Sequence, residues 1–520
     1  MSQTTQTEKS TISTDAEWNR LYLNGERSPD DRNSLVVENP ATHEQIATVP
    51  KGTVEDVSNA YDIATTAQTE WAERSPGERA TVISRAVEVL RDNRESILEL
   101  LAVESGTTKT KGVSEFESAA GITQEAASFP TRISGDYRAS NIEDKENLVK
   151  REPVGVVGVI SPWNFPLHLS IRAVAPALAA GNGVVLKPAS DTPITGGLLI
   201  ARVFEAAGLP DGLLNVVPGR GSEIGDRMAG HPAAGVIAFT GSTAVGRQVA
   251  KQAVDHLAYP AMELGGNGPH VVLDDADVEK AVDAGAFGTF LHQGQICISI
   301  NRHLVHESLY DDYVEALTKK AASLPVGDPT TEETVIGPII NESQRDQMLG
   351  YVEETVDAGA TLEVGGAAVS LNDIDGTTTQ AGDFDTAATP GDANGSFVLP
   401  TVLSGATNEM AAACNEHFGP IAPVIPFADT DEAVELANDT EYGLAASVYG
   451  NDVGRAQRIA DRIDAGMVHV NDQPVNDEPH VPFGGYKSSG IGRFNGDYVL
   501  DEFTQPKWIS VQNKPREYPF

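Results

Sequence analysis

Between residues 154 and 256, short β-branched apolar runs alternate with segments of helical periodicity, and few folds accommodate that alternation. The first run, VGVVGVI (154–160), is almost wholly apolar, as a parallel strand covered on both faces must be. VVLK (184–187), LLNVV (213–217) and VIAF (236–239) predict three more strands. Between them fall an apolar helix ending at Gly181, a helix over 196–207 closed by Gly208, and one over 222–229; another follows over 244–256. This order implies right-handed crossovers and an α/β fold with a doubly wound parallel sheet. Ligands of such sheets bind at the carboxyl ends of the strands.

Upstream, Ser75-Pro-Gly-Glu78 reads as a capped helix start, and Ile83, Val87, Leu90, Ile97, Leu100 and Leu101 continue at helical spacing. One long amphipathic helix ending near Gly106 is expected. Residues 1–17 are polar and read as loose. The stretch 366–396, rich in Gly, Asp, Thr and Ala and without periodicity, reads as an extended acidic surface loop with no catalytic role.

A chain of 520 residues calls for two or three domains. Its 75 acidic residues against 37 Lys and Arg give a net charge of −38, which repels nucleic acid and anionic membrane. The acid is dispersed rather than gathered in a tail. That pattern suggests a halophilic protein, one that works in high salt where screening removes self-repulsion; an ordinary acidic cytosolic enzyme is the alternative. There is no basic-then-apolar leader and no apolar run of membrane-spanning length. Two cysteines, Cys297 and Cys414, cannot build a disulfide framework, so a reducing, cytoplasmic setting is expected.

Cys297 lies in HQGQICISINR (292–302), among polar amides rather than in an apolar run. A free cysteine is ordinarily a small buried hydrophobe, and this segment alone does not overturn that reading. His292, five residues earlier, does not share a helical face with it, which weighs against a Cys/His hydrolase. MELGG (262–266) ends a strand with Glu263 before two glycines, where a carboxylate is equally a general base or a salt-bridged structural acid. GSTAVG (241–246) opens a helix and could receive a phosphate, although a helix cap would look the same. In GGYKSSG (484–490) Tyr486 precedes Lys487, so no P-loop is present. The eleven histidines include no H-E-x-x-H and no clustered Cys/His spacing, and no metal is expected.

Taken together, SPWNFP (161–166), KPAS (187–190), FTGS (239–242), ELGG (263–266), GQIC (294–297), EHFGP (416–420) and PFGGYKSSG (482–490) resemble the aldehyde dehydrogenase superfamily in order and spacing, from about residue 18 to 510. The resemblance implies an NAD(P)-dependent enzyme in which Cys297 attacks a small-molecule aldehyde. Asn164 and the cysteine's own backbone N–H would stabilise the oxyanion, and Glu263 would activate the hydrolytic water. Relatives that pass the acyl group to coenzyme A lack that glutamate, so a free carboxylate is the implied product. Glu416 would hold the nicotinamide ribose and Phe418 would pack beside the ring. The resemblance also places Ile160, Trp163, Lys187, Ser190, Gly221, Phe239, Gly241, Ser242, Val245 and Leu264 among the cofactor contacts. It gives Cys414 no role.

Two positions depart from the pattern. Ser190 stands where NAD-preferring relatives often carry a glutamate for the adenosine 2′-hydroxyl; with Lys187 and Arg220 nearby, use of NADP or of both cofactors is expected. Phe494 stands where many relatives place a second, proton-relaying acid. NDQPVNDEPHVPFGG (471–485), with HQGQIC and EHFGP, most resembles the aromatic-aldehyde branch of benzaldehyde and vanillin dehydrogenases. Aliphatic aldehydes and succinate semialdehyde remain alternatives, the latter needing a cation that the sequence does not reveal. A Cys-dependent esterase and a non-catalytic protein of the same fold are the non-redox rivals.

The expected layout is a cofactor domain over 18–130 and 152–265, a catalytic domain over 266–468, and an oligomerisation arm from 131–151 and 490–510. An exposed ribbon of that kind is unstable alone, so a homodimer or homotetramer is expected.

Overall fold

The computed structural model describes residues 18–27, 32–374, 376–384 and 395–520. The segment 1–17 and residues 385–394 of the acidic stretch lie outside the described residues.

Five parallel strands form the centre of the first sheet. In spatial order they are Leu214–Val216, Gly183–Lys187, Val156–Ile160, Ala234–Thr240 and Tyr259–Glu263. Tyr22–Leu23 and, outside it, Glu26–Arg27 extend one side, and Gly490–Ile491 closes the other, all antiparallel to their neighbours. The chain leaves the central strand Val156–Ile160 in one direction and returns on its other side. A crevice therefore opens at the carboxyl ends where the order reverses. Every residue of Val156–Ile160 and of Gly183–Lys187 is buried, which explains their unbroken apolar runs.

The Ser75 capping box forms as the sequence predicts, with the hydroxyl accepting from Glu78 N–H and the Glu78 carboxylate accepting from Ser75 N–H. The single long helix does not. It is two helices, Pro76–Asp92 and Arg94–Ser105, broken at Asn93 (φ −110°, ψ 17°). The Asn93 side-chain amide donates to Val89 O at 2.8 Å, offering the backbone an alternative to the helical ladder, a habit of asparagine that apolar periodicity does not register. Gly106, at φ 65°, ends the second helix where expected.

The second sheet has seven strands: Thr361–Val364, Thr401–Ser404, Ile421–Phe427, Ile300–His306, Gly268–Val272, Ala445–Tyr449 and Met467–Val470, all parallel except the first. The stretch 366–396 is not simply a surface loop. Its described part forms two short antiparallel ladders, Ala368–Val369 with Phe397–Val398 and Thr378–Gln380 with Pro325–Gly327. Val369, Ile374 and Ala381 sink into the core of the second sheet beside Phe290 and Tyr313. A few isolated apolar residues suffice as anchors without producing a detectable period.

A third, separate sheet joins Asp136–Ala139, Lys145–Pro153 and Thr504–Gln512. It leaves Tyr137 and Trp508 exposed at 66% and 67%.

Candidate active site

Glu263 is the last residue of its strand, and the Leu264-Gly265-Gly266 link leads directly from the first sheet into the second. The two glycines explain how distant motifs meet there. A Cβ on Gly265 would lie 2.2 Å from Glu416 Oε2, and one on Gly266 would lie 2.2 Å from Cys297 O. A Cβ on Gly484 would lie 2.9 Å from Glu263 Oε1, and one on Gly294 2.0 Å from Gly419 O. Only glycine lets these backbones come so close, so ELGG, GQIC, EHFGP and PFGG converge on one point.

Cys297 follows three residues in left-handed conformation, His292 (φ 50°), Gln293 (φ 57°) and Gly294 (φ 69°). Side-chain bonds hold this turn: Gln293 Nε2 donates to Pro338 O, Gln295 Oε1 accepts from Ile340 N–H, and Ser299 Oγ donates to Ile296 O. Cys297 is partly buried against an apolar cluster that includes Leu291, Ile296, Ile298, Leu444 and Phe483, on which Phe165 also packs. Burial first, then the Glu416 charge, pushes its thiol up to about 12, with Arg172 opposing. His292 does not pair with it. The His292 ring meets Phe165 edge-on at 5.7 Å, and both its nitrogens are buried without a partner among the described residues.

Asn164 is buried and donates from Nδ2 to Gln295 O at 2.8 Å, which sets it against the cysteine turn. It precedes helix Pro166–Ala179, whose N-cap Phe165 supplies no side-chain acceptor. The buried Glu115 carboxylate supplies one instead, accepting from Leu167 N–H and His168 N–H, while Lys111 Nζ sits 4.2 Å above the Phe165 ring. The Asn164 segment is thereby fixed from beneath.

The Glu263 carboxyl is 2% exposed, and neither oxygen has a hydrogen-bond partner among the described residues. Burial pushes it up to about 8; the Arg172 and Arg493 charges act against this, and those of Asp477 and Glu502 add to it. Phe494, where a second acid might have stood, is buried against Phe503.

The remaining predicted residues fall at strand ends, helix starts and turns of the two large sheets. Ile160 ends the central strand. Trp163 meets Phe418 edge-on at 5.6 Å, with Phe418 at φ 51°. Glu416 Oε1 accepts from Gly266 N–H at 2.9 Å, and burial raises its carboxyl to about 7. Phe239 underlies Gly241, and Leu264 packs on Gly246. Helix Thr243–Asp255 starts at Ser242, whose side chain makes no cap bond, and no acid occupies its first turn. Its end is thus free to take an anion. Val245 stands 47% exposed beside it, and a Cβ on Gly221 would meet nothing within 4 Å. An accessible helix end, an exposed apolar side chain and open backbone suit a dinucleotide.

Lys187 is committed: its Nζ donates to Pro188 O and Gly219 O, and burial lowers the ammonium to about 8. Ser190 borders a cavity of about 400 Å³ that also meets Arg220, Lys51 and Asp191. Cys414 is exposed and holds only local bonds, with Ala411 O and the Asn415 amide.

Sequence reasoning missed a second cluster. Arg172 Nη2 is hydrogen-bonded to Asp477 Oδ2, which lies 2.8 Å from His168 Nε2 and draws Asn495 to its other oxygen. All of these groups are buried or nearly so. The signal was present: Arg172 is the one Arg, Lys, Asp or Glu in a helix buried at every position.

The aldehyde dehydrogenase family model matches residues 27–509. A vanillin dehydrogenase of Corynebacterium glutamicum is 47% identical over 476 residues, 91% of this chain and 93% of that protein. A benzaldehyde dehydrogenase of Bacillus subtilis is 44% identical over 506 residues, covering 97% and 99%. Among solved structures, betaine aldehyde dehydrogenase from Staphylococcus aureus in complex with NAD+ superposes with a TM-score of 0.90 at 33% identity, covering 96% of each chain.

Proposed function

The chain belongs to the aldehyde dehydrogenase family, and from that premise we propose that it oxidises an aromatic aldehyde to the free carboxylate through Cys297, with NAD or NADP as hydride acceptor. The observation that carries this reading is the apolar cluster against which Cys297 lies, which includes Leu291 and Phe483 and on which Phe165 also packs, with Glu263 brought near by the ELGG glycines. Such walls favour a flat apolar ring over a charged or flexible chain.

Cys297 must lose a proton before it attacks, and a thiol near 12 does so only if its proton is taken. Glu263 is the nearby group suited to receive it in its ionised fraction, which grows as pH approaches about 8, with both oxygens free among the described residues. Addition to the aldehyde carbon forms a thiohemiacetal oxyanion, for which the Cys297 backbone N–H and the Asn164 amide hydrogen not given to Gln295 O would be the donors. The bound oxidised nicotinamide would accept the hydride. Cys297 then carries a thioester; Glu263 releases the thiol's proton to solvent and, deprotonated again, draws a proton from the water that hydrolyses the thioester. Ser242, Val245, Gly221 and Glu416 would hold the cofactor at the positions described above.

Succinate semialdehyde would need a cation near Cys297, and Arg172 is one. Its charge is already balanced by Asp477, which favours a neutral substrate. The neutral Ser190 beside Arg220 and Lys51 supports dual use of NAD and NADP, with Asp191 limiting the preference for a 2′-phosphate. The division into a cofactor domain (18–130, 152–265), a catalytic domain (266–468) and an arm (131–151, 490–510) follows the three larger sheets, except that Gly490–Ile491 pairs with the first. The exposed Tyr137 and Trp508 support an arm that pairs in a homodimer or homotetramer. The dispersed acid and paucity of cysteine support a cytoplasmic enzyme of a high-salt cell.

The test is reduced-nicotinamide absorbance in high salt, with benzaldehyde and hexanal each offered NAD and NADP. Benzaldehyde is expected to have the higher kcat/KM. Preference for hexanal would discard the aromatic reading, and no reduction with any pair would move the protein to a Cys-dependent esterase.

A further inference from the structure

Arg172 and Asp477 form a buried ion pair that is balanced in sum but oriented in space. Arg172 Nη2 is hydrogen-bonded to Asp477 Oδ2, and both side chains are withdrawn from water. The anionic end is held by His168 Nε2, 2.8 Å from Asp477 Oδ2, and by Asn495 Nδ2, which donates to Oδ1 at 2.6 Å. The cationic end packs on the wall of the site: the guanidinium carbon lies 3.9 Å from the centre of the Phe483 ring, and Phe483 belongs to the apolar cluster against which Cys297 lies. At the next residue, Gly484, a Cβ would come 2.9 Å from Glu263 Oε1.

The charges felt by Glu263 are, in falling order of effect, those of Arg172, Arg493, Asp477 and Glu502; those felt by Cys297 are Glu416, Arg172 and Glu263. Arg172 is the cation common to both sets. It is 3% exposed, whereas Arg493 is partly exposed and spends Nη1 on Gly485 O and Gly492 O. A charge held out of water is the one that solvent and salt screen least. His168 adds no charge, because burial and then the Arg172 cation lower its ring toward the neutral form. Asp477 stays ionised: burial raises its carboxyl, but the Arg172 charge and the bond from His168 outweigh this. On the reading that Glu263 serves as base to Cys297, we propose that Arg172 is a positioning residue for the reaction, paired with Asp477 so that its cationic end stabilises the Glu263 carboxylate and the Cys297 thiolate in a site otherwise hostile to anions. Asp477 both anchors that field and limits its strength. Without the cation, burial drives both groups further toward their neutral forms.

The test is the pH dependence of 4-nitrophenyl acetate hydrolysis by the full-length enzyme, a reaction that acylates Cys297 without cofactor or aldehyde. Its rate should rise through about 8 as Glu263 ionises. In Arg172→Met that midpoint should move up by about one pH unit, and Arg172→Lys should return most of the shift. In Asp477→Asn it should move down, by about half a unit, because the arginine is then unopposed. A merely structural clamp behaves otherwise: either substitution would loosen the Phe483–Gly484 segment, readmit water and move the midpoint down alike. Arg172→Met strands a buried carboxylate and can fail to fold. The double variant Arg172→Met/Asp477→Asn leaves neither charge of the pair, and its midpoint should still lie above wild type, since the cation acts on Glu263 more strongly than the anion. A midpoint that stays in place or falls when Arg172 is neutralised overturns the proposal, as does an Asp477→Asn midpoint at or above the wild-type value. A wild-type rate with no midpoint near 8, or a midpoint that persists in Glu263→Gln, sinks instead the assignment of Glu263 as base.

Discussion

At neutral pH both central groups of the site begin protonated, the Cys297 thiol near 12 and the Glu263 carboxyl near 8. The cause is the same in both cases, removal from water without a compensating partner. The fraction of Glu263 able to act as base therefore grows as pH rises through about 8, and deacylation should rise with it. In Glu263→Gln that dependence should vanish, with turnover reduced by roughly 10²-fold or more and a thioester detectable by rapid acid quench; unchanged turnover would remove Glu263 from the mechanism. The same burial has a cost to stability. A carboxyl raised from 4.5 in the unfolded chain to about 8 in the fold contributes fully below the lower value and loses its contribution as pH climbs toward the upper. Glu263→Gln should consequently melt higher than wild type at pH 8 and no higher at pH 4, with a difference on the order of a few kcal/mol. Cys297→Ala should abolish oxidation while cofactor binding, followed by fluorescence quenching, persists. These residues were legible because each sits in a short local motif. The Arg172–Asp477 pair was not, because 305 positions separate its members and the lone charge in an apolar helix does not say what it pairs with.

At the scale of elements, glycines do the assembling. The strand carrying Glu263 ends at a two-glycine link because Cys297 O and Glu416 Oε2 occupy the space any side chain there would need. Gly266→Ala should push the cysteine turn away from Glu263 while leaving both sheets intact. A displacement near 1 Å costs on the order of 10²-fold in rate. Circular dichroism should be little changed while kcat falls by about that factor; an active Gly266→Ala enzyme would show that the turn can relax. The parallel strands were readable because burial on both faces writes itself as an unbroken apolar run. The break at Asn93 was not, since the apolar spacing continues across it and a side-chain bond to Val89 O leaves no trace in that spacing. The acidic stretch misled for the opposite reason: its anchors Val369, Ile374 and Ala381 are too sparse to make a period, yet each finds the core.

For the whole molecule the governing quantity is the net charge of −38. Ion pairs such as Lys320–Asp283 and Arg462–Asp431 offset some of it, but 37 cations cannot neutralise 75 acids, and the excess stays distributed over the surface. Repulsion among those carboxylates acts over the Debye length, about 10 Å at 0.1 M salt and about 3 Å at 1 M. At low salt each exposed acid therefore feels several neighbours, and in molar salt almost none. The unfolded chain spreads the same charges further apart, so screening favours the folded state. Thermal unfolding in 0.1 M and in 2 M potassium chloride should show the melting temperature rising, by about ten degrees if each of the 38 excess charges contributes about 0.3 kcal/mol, since a chain of 520 residues needs about 1 kcal/mol per degree. Most of the gain should arrive below 1 M if screening is its source. A gain that grows linearly to higher salt, and more strongly with sulfate than with chloride, would instead reflect strengthened apolar burial. A melting temperature indifferent to salt would mark the surface as that of an ordinary acidic enzyme.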